Sequence, residues 1–174
     1  MPDRFDPCVH KHRSIRLKGY DYRQPGAYFV TICTLNREML LGEIAEDSQR
    51  ASQLLLDGHG RIATECWLWL AAQYPYVELD EWVVMPNHLH GILVLSDGRG
   101  GSRTAPTKPL GRLIGAFKTV STKRMNDMRG TPGLPVWQRN YYEHIIRDEA
   151  DLDRIRRYIA ENPFRWADDE NNPG

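Results

Sequence analysis

Two histidines one residue apart are the first feature of this chain that could do chemistry, in the run Asn87-His88-Leu89-His90-Gly91-Ile92-Leu93-Val94-Leu95. Successive side chains of a strand point to opposite faces, so His88 and His90 share a face with Ile92 and Val94. Leu89, Leu93 and Leu95 take the other face, and a segment apolar on both sides is a central, covered strand. Two adjacent imidazoles there need partners, because a buried polar group without one is costly. A shared metal ion satisfies both, and imidazole is the commonest side-chain ligand. Hydrogen bonds to backbone at the mouth of a hairpin would satisfy them too, so the pair alone leaves both readings open.

A second group of reactive side chains lies near the end of the chain. Asp148 reads as a helix cap, and the helix runs to about Asn162, where Pro163 disfavours continuation. At ~100° per residue, Leu152, Ile155 and Ile159 fall in one sector and face the core. Tyr158 and Asn162 sit together at the edge of that stripe, one turn apart. A phenol at such a border is often no more than a packed ring with its hydroxyl in water. It is also where a covalent nucleophile or a further metal ligand would stand, shielded but within reach of a substrate.

A tyrosine hydroxyl, with an ordinary pKa of about 10, is a weak nucleophile at neutral pH. Attack on a phosphodiester needs a Lewis acid on the phosphate or help in removing the proton. Two histidines and an asparagine oxygen leave coordination positions open for phosphate oxygens. Such a cysteine-free N/O set accepts Mg²⁺ or Mn²⁺ without excluding Zn²⁺.

The elements that must position these groups can be read from their periodicities. Ala27 to Thr34 is rich in β-branched and aromatic residues and reads as a buried strand. A loop or short strand continues through Leu41 and Ile44, and Ser52 to Leu56 fits more than one state. Gly60 to Tyr74 has helical spacing, with Ile62, Cys66, Trp69 and Leu70 on one side and Pro75 as its stop. Glu81 to Met85 and His88 to Leu95 are apolar runs joined by Pro86-Asn87, a strand-turn-strand signal. Ser96 to Pro109 is a Gly/Ser/Thr/Pro-rich loop. Leu110 to Met128 is a second helix with Leu110, Leu113, Ile114, Phe117, Ser121 and Met125 in one stripe. Val136 to Ile146 is extended. Strands and helices interleave with a hairpin among them, so the expected class is α+β, an antiparallel sheet with helices packed on it.

The bulk properties agree with one globular domain: 174 residues, 41% hydrophobic and 26% charged. We expect a basic arm over 1–25, the domain over 26–166 and an acidic tail over 167–174. Lys+Arg and Asp+Glu balance at 23 each, but the balance is uneven along the chain. From Gly98 to Asn126 there is no acid, while Arg99, Arg103, Lys108, Arg112, Lys118, Lys123 and Arg124 are all present. Local positive blocks on a neutral protein suit a polyanion held at one place, although a solvated helix face has the same composition. Cys8, Cys33 and Cys66 form neither a disulfide framework nor a CxxC clip, which fits a reducing cytoplasm. No apolar run approaches the ~20 residues that cross a bilayer, and the N-terminus has no signal core, so no membrane partner is expected.

With these residues in place, the chain resembles the single-tyrosine HUH transposases, and most closely their REP-associated tyrosine branch. The resemblance rests on YFVTICTLNRE (28–38), ELDEWVVMPNHLHGILVL (78–95), IGAFKTVSTKRMN (114–126), VWQRNYYEHIIRD (136–148) and RRYIAENPFRW (156–166). MPNHLHG followed by YIxxNP is its specific part. It implies a ferredoxin-like or RRM-like fold with the histidine pair on a central strand. It further implies a divalent metal, Mg²⁺ or Mn²⁺, held by His88 and His90. Asn162 would stand where related insertion-sequence enzymes carry a glutamine. Tyr158 would cleave single-stranded DNA, leaving a 5′-phosphotyrosine and a free 3′-hydroxyl. Tyr141 and Tyr142 are rival tyrosines outside the nucleophile's motif.

Family members are expected to bind palindromic DNA folded into hairpins. Arg16, Lys18, Lys118, Lys123 and Arg139 are the candidate phosphate contacts, with Tyr20 and Tyr22 as base-stacking rings. The protein would then work in the bacterial cytoplasm, associated with the nucleoid, as a monomer or homodimer. Two competing readings stand beside this one. A hairpin-DNA binder could keep the fold without cleavage, and a zinc hydrolase could use the same HxH. The hydrolase would want a general-base carboxylate, and Asn87 occupies the adjoining position.

Overall fold

The structure is a computed structural model, described here for residues 24–47, 50–96, 108–169 and 171–173. Six strands and three helices follow one another: β1 (Gly26–Cys33), β2 (Gly42–Asp47), β3 (Arg50–Leu56), α1 (Gly58–Gln73), β4 (Val77–Met85), β5 (His88–Leu95), α2 (Leu110–Arg129), β6 (Tyr142–Ile146) and α3 (Glu149–Glu161). A 3-10 segment, Asn162–Asp168, continues directly from α3. Pro163 therefore does not end the helical path. It sits in the first turn of the tighter helix, where a missing N–H costs nothing.

The main sheet has the order β4-β5-β1-β6 and every pairing is antiparallel. With the β2–β3 hairpin set aside as an insertion, the remaining βαββαβ order is the ferredoxin-like arrangement expected. That hairpin is where Ile44 and the ambiguous Ser52 to Leu56 belong. β4 starts at Val77, earlier than its apolar run suggests, because Glu78 and Glu81 are exposed members of a half-buried strand.

The two faces of the sheet carry separate cores. On one, α1 and α2 close over Tyr28, Val30, Ile32, Leu89 and Leu93 with Trp67, Leu70, Leu113 and Phe117. On the other, α3 lays Ile155 and Ile159 on Phe29 and Ile92, with Leu152 at the margin. The alternation along His88–Leu95 is thus as read from the sequence. Local signals set the helix ends. Asp57 accepts from the backbone N–H of His59 and Gly60 to start α1, and Gly130, at φ 66°, closes α2. Asp148 caps α3 through the N–H of Asp151.

Of the three cysteines, Cys66 is free and buried, Cys33 is buried at the end of β1, and Cys8 lies outside the described residues. The loop from Ser96 to Pro109 lies mostly outside the described residues. Among those described, no helix is long and apolar enough to cross a membrane.

Candidate active site

The central position of β5 determines what surrounds the two histidines. Thr31 and Cys33 of β1 lie opposite His90 and His88 on one side. Val83 and Met85 of β4 lie opposite them on the other. Both imidazoles are wholly buried. Their Nε2 atoms face each other at 3.0 Å, and each Nδ1 is tied back: His88 to Asn87 Oδ1 at 2.8 Å and His90 to Thr31 Oγ1 at 2.8 Å. Burial pushes the His90 pKa well below its ordinary value, and the neighbouring His88 pushes it the same way. His90 is thereby held neutral, the form that binds metals.

α3 brings the phenol to this pair. Ile155 and Ile159 fix which side of the helix meets the sheet, and Tyr158 emerges beside them, 39% exposed. Its hydroxyl is 3.4 Å from His90 Nε2. The Phe29 ring is stacked on His90 at 5.5 Å and meets Tyr158 edge-on at 6.0 Å. A second anchor holds the helix at the sheet edge. The irregular pairing of β4 between Leu79 and Trp82 brings Asp80 to Arg156, whose Nε and Nη2 donate to its two oxygens at 3.0 and 2.6 Å. That fork holds the Asp80 carboxyl below its ordinary pKa.

The residues present suit a cation between the imidazoles. Two nitrogens each about 2.1 Å from one ion and at right angles to each other lie about 3.0 Å apart. Without metal, the observed 3.0 Å is a hydrogen bond between the same two atoms. Asn162, at the junction of α3 and the 3-10 segment, is 3% exposed and its Oδ1 has no hydrogen-bond partner. A buried oxygen left over in this way calls for a donor or a cation. One turn further on, the Trp166 ring lies 6.1 Å from that of His88. Among the described residues no cluster of three His, Cys, Asp or Glu occurs.

The other candidates are distributed as follows. Arg16, Lys18, Tyr20 and Tyr22 lie outside the described residues. Lys118 is turned inward: its Nζ donates to the carbonyls of Gln138, Asn140 and Arg139 at 2.8, 3.1 and 3.3 Å. Burial brings its pKa down to about 8. In this DNA-free structure its donors are taken up by the loop before β6. Lys123 is exposed and paired with Asp127 at 2.8 Å. Arg139 is exposed. All three line one groove of about 630 Å³ between α2 and the 132–139 loop. Tyr142 shares the histidine face, opposite Thr31, whereas Tyr141 packs into the core beneath α1 and α2.

Thr31, Asn87, Phe29 and Trp166 were not identified as site residues from the sequence. The two on β1 could have been found by extending the alternation rule to YFVTICT, where Phe29, Thr31 and Cys33 must share a face.

A Haemophilus influenzae protein described as uncharacterized is 37% identical over 183 residues, covering 98% of each chain. The chain belongs to that protein's family. Among solved structures, a REP-associated tyrosine transposase bound to a REP hairpin superposes with a TM-score of 0.56. Its identity is 20%, over 90% of this chain and 73% of that one. The chain has the transposase's fold. No family model matches it.

Proposed function

We propose that this chain is a metal-dependent single-stranded DNA endonuclease and strand transferase that acts on hairpin-forming palindromic DNA. The observation that carries the reading is the 3.4 Å approach of the Tyr158 hydroxyl to a buried histidine pair within one chain. Tyr158 is the nucleophile. Its oxygen bonds to phosphorus, the bond to the 3′-oxygen breaks, and that oxygen leaves as a 3′-hydroxyl while the phenol gives up its proton. The 5′-phosphotyrosine keeps the bond energy, so attack by a 3′-hydroxyl rejoins a strand.

His88 and His90 would hold the cation, Mg²⁺ or Mn²⁺, with Asn162 Oδ1 as the third protein ligand. When bound, it supplies Lewis-acid charge to the phosphate oxygens. The side chains divide the remaining work. Phe29 packs His90 and Tyr158 against each other, while Ile155, Ile159 and the Arg156–Asp80 fork set the height of the phenol above the sheet. The half-exposed phenol lets an unpaired strand reach a site whose floor is buried. A protein of this fold bound to a REP hairpin supports hairpin DNA as the substrate class, and Arg139 and Lys123 are the described cations that would meet its backbone.

The test is incubation of an end-labelled single strand carrying a hairpin with the protein and Mg²⁺ or Mn²⁺. A covalent protein–DNA adduct, absent with Tyr158→Phe, is the expected result. Tight binding without an adduct would instead make the chain a hairpin-DNA binder that does not cleave.

A further inference from the structure

We propose that Asn87 is a positioning residue that sets the tautomer of His88, and that Asn171, itself held by Asp169, keeps Asn87 in place. The role in metal binding rests on the function proposed above; the tautomer itself does not.

Asn87 is 1% exposed, so its amide must find all its partners inside the protein. The Nδ2 donates to two backbone carbonyls, Asn171 O at 2.6 Å and Arg37 O at 3.2 Å. Those two acceptors decide which way round the amide lies, because an oxygen in that place would face two oxygens. Oδ1 is therefore turned to His88 Nδ1. It can only accept, so Nδ1 must carry the proton, and the lone pair of the neutral ring is left on Nε2. That is the nitrogen facing His90. On His90 the corresponding partner is the hydroxyl of Thr31, which can donate or accept and so allows either tautomer. The pair thus has one fixed member and one adaptable member.

Both carbonyls are held in place by the chain around them. Asn36 and Arg37 adopt left-handed backbone, φ 53° and 57°, an arrangement that costs free energy and persists only where surrounding contacts enforce it. On the other side Asp169 Oδ1 accepts from the backbone N–H and the Nδ2 of Asn171, at 2.7 and 2.9 Å. This turn presents the Asn171 carbonyl inward, and Asn171 itself is 4% exposed. Asp169 and Asn171 thereby become part of the site's support.

The experiment combines ¹⁵N shifts of the His88 ring in the metal-free protein with Mn²⁺ affinity. Wild type should show a single Nδ1–H tautomer at His88. Asn87→Ala should mix the tautomers and weaken Mn²⁺ by about 10- to 100-fold, the usual effect of losing an outer-shell partner. Because Asn87 is buried and that variant could fail to fold, Asp169→Ala, half-buried and three hydrogen bonds removed from the ring, gives a second reading. It should mix the tautomers partly, and Asp169→Asn, which keeps an acceptor oxygen, should restore the single form. An Nε2–H ring in wild type, or an unchanged His88 spectrum in both alanine variants, overturns the proposal. A wild type that shows the Nδ1–H ring but binds no Mn²⁺ sinks the metal site while leaving the tautomer assignment standing.

Discussion

Gly91 separates the second histidine from Ile92, and its lack of a side chain is required by a specific neighbour. A Cβ at this position would lie 2.4 Å from Trp67 Cζ2, 3.0 Å from Cε2 and 3.3 Å from Cη2. Carbon atoms in contact normally sit about 3.5–4.0 Å apart, so Gly91→Ala demands a displacement of about 1 Å. Trp67 is fully buried, and its ring meets Phe117 edge-on at 5.6 Å, which leaves little room to retreat. The alternative is for β5 to move towards α3, taking His90 with it. Overpacking of this size costs about 1–3 kcal/mol. Alanine recovers about 1 kcal/mol of backbone entropy relative to glycine, so the net loss should be about 0–2 kcal/mol.

Urea denaturation of Gly91→Ala, Trp67→Phe and the double variant measures this. Trp67→Phe removes the clashing atoms, so the double variant should be more stable than the sum of the single changes implies, by at least ~1 kcal/mol. Mn²⁺ affinity should fall in Gly91→Ala and recover in the double variant, because relief of the clash lets the strand return. A Gly91→Ala chain more stable than wild type, or strictly additive behaviour, would refute the reasoning, since rigid contact between β5 and α1 is its only premise.

Three further outcomes follow. Asp80→Asn should cost about 1 kcal/mol or less at pH 7, a forked pair discounted for its solvent exposure. The folded-state pKa of Asp80 is depressed, so its contribution is complete above the ordinary carboxylate value of 3.8 and is lost as pH falls through the lower folded value. The gap between wild type and variant in acid titrations of stability should close only there. Arg139→Ala should reduce the slope of log K against log salt for hairpin DNA by about 0.7–0.9, while Lys118→Met should leave that slope unchanged and lower the melting temperature. Chelation with EDTA should abolish adduct formation, and Mg²⁺ or Mn²⁺ added back should restore it; an adduct that persists without metal would refute the Lewis-acid role.

The two faces of the sheet have different duties, and β5 belongs to both. Its odd-numbered side chains, Leu89, Leu93 and Leu95, lock it to α1 and α2. Its even-numbered ones carry the histidines and then Ile92, on which α3 rests. The larger core can therefore hold the strand rigid while the smaller one admits a half-exposed phenol. Imidazoles and phenol converge without a second copy of the chain. The helix that carries the phenol is fixed at two points, an apolar stripe and the Arg156–Asp80 fork, which would matter for the proposed nucleophile because a 1 Å misplacement can cost about 100-fold in rate.

Much of this was legible because it is periodic. The alternation along His88–Leu95 and the 3.6-residue recurrence of Leu152, Ile155 and Ile159 each place side chains on a face without any tertiary information. The β2–β3 hairpin was harder to read, since Ser52-Gln53-Leu54-Leu55-Leu56 contains neither a clean alternation nor a helical stripe. The surroundings of Lys118 were hidden for another reason: a basic residue on a helix face has the same local signature whether it meets water or the three carbonyls it contacts here. The contact between Asn87 and Asn171 was beyond sequence reading altogether. It spans 84 residues, and its acceptor is a backbone carbonyl, a group that every residue carries. Residue types reveal which side chains could do chemistry. They do not reveal which peptide groups the fold will turn inward to hold those side chains still, and the orientation of His88 depends on two such groups.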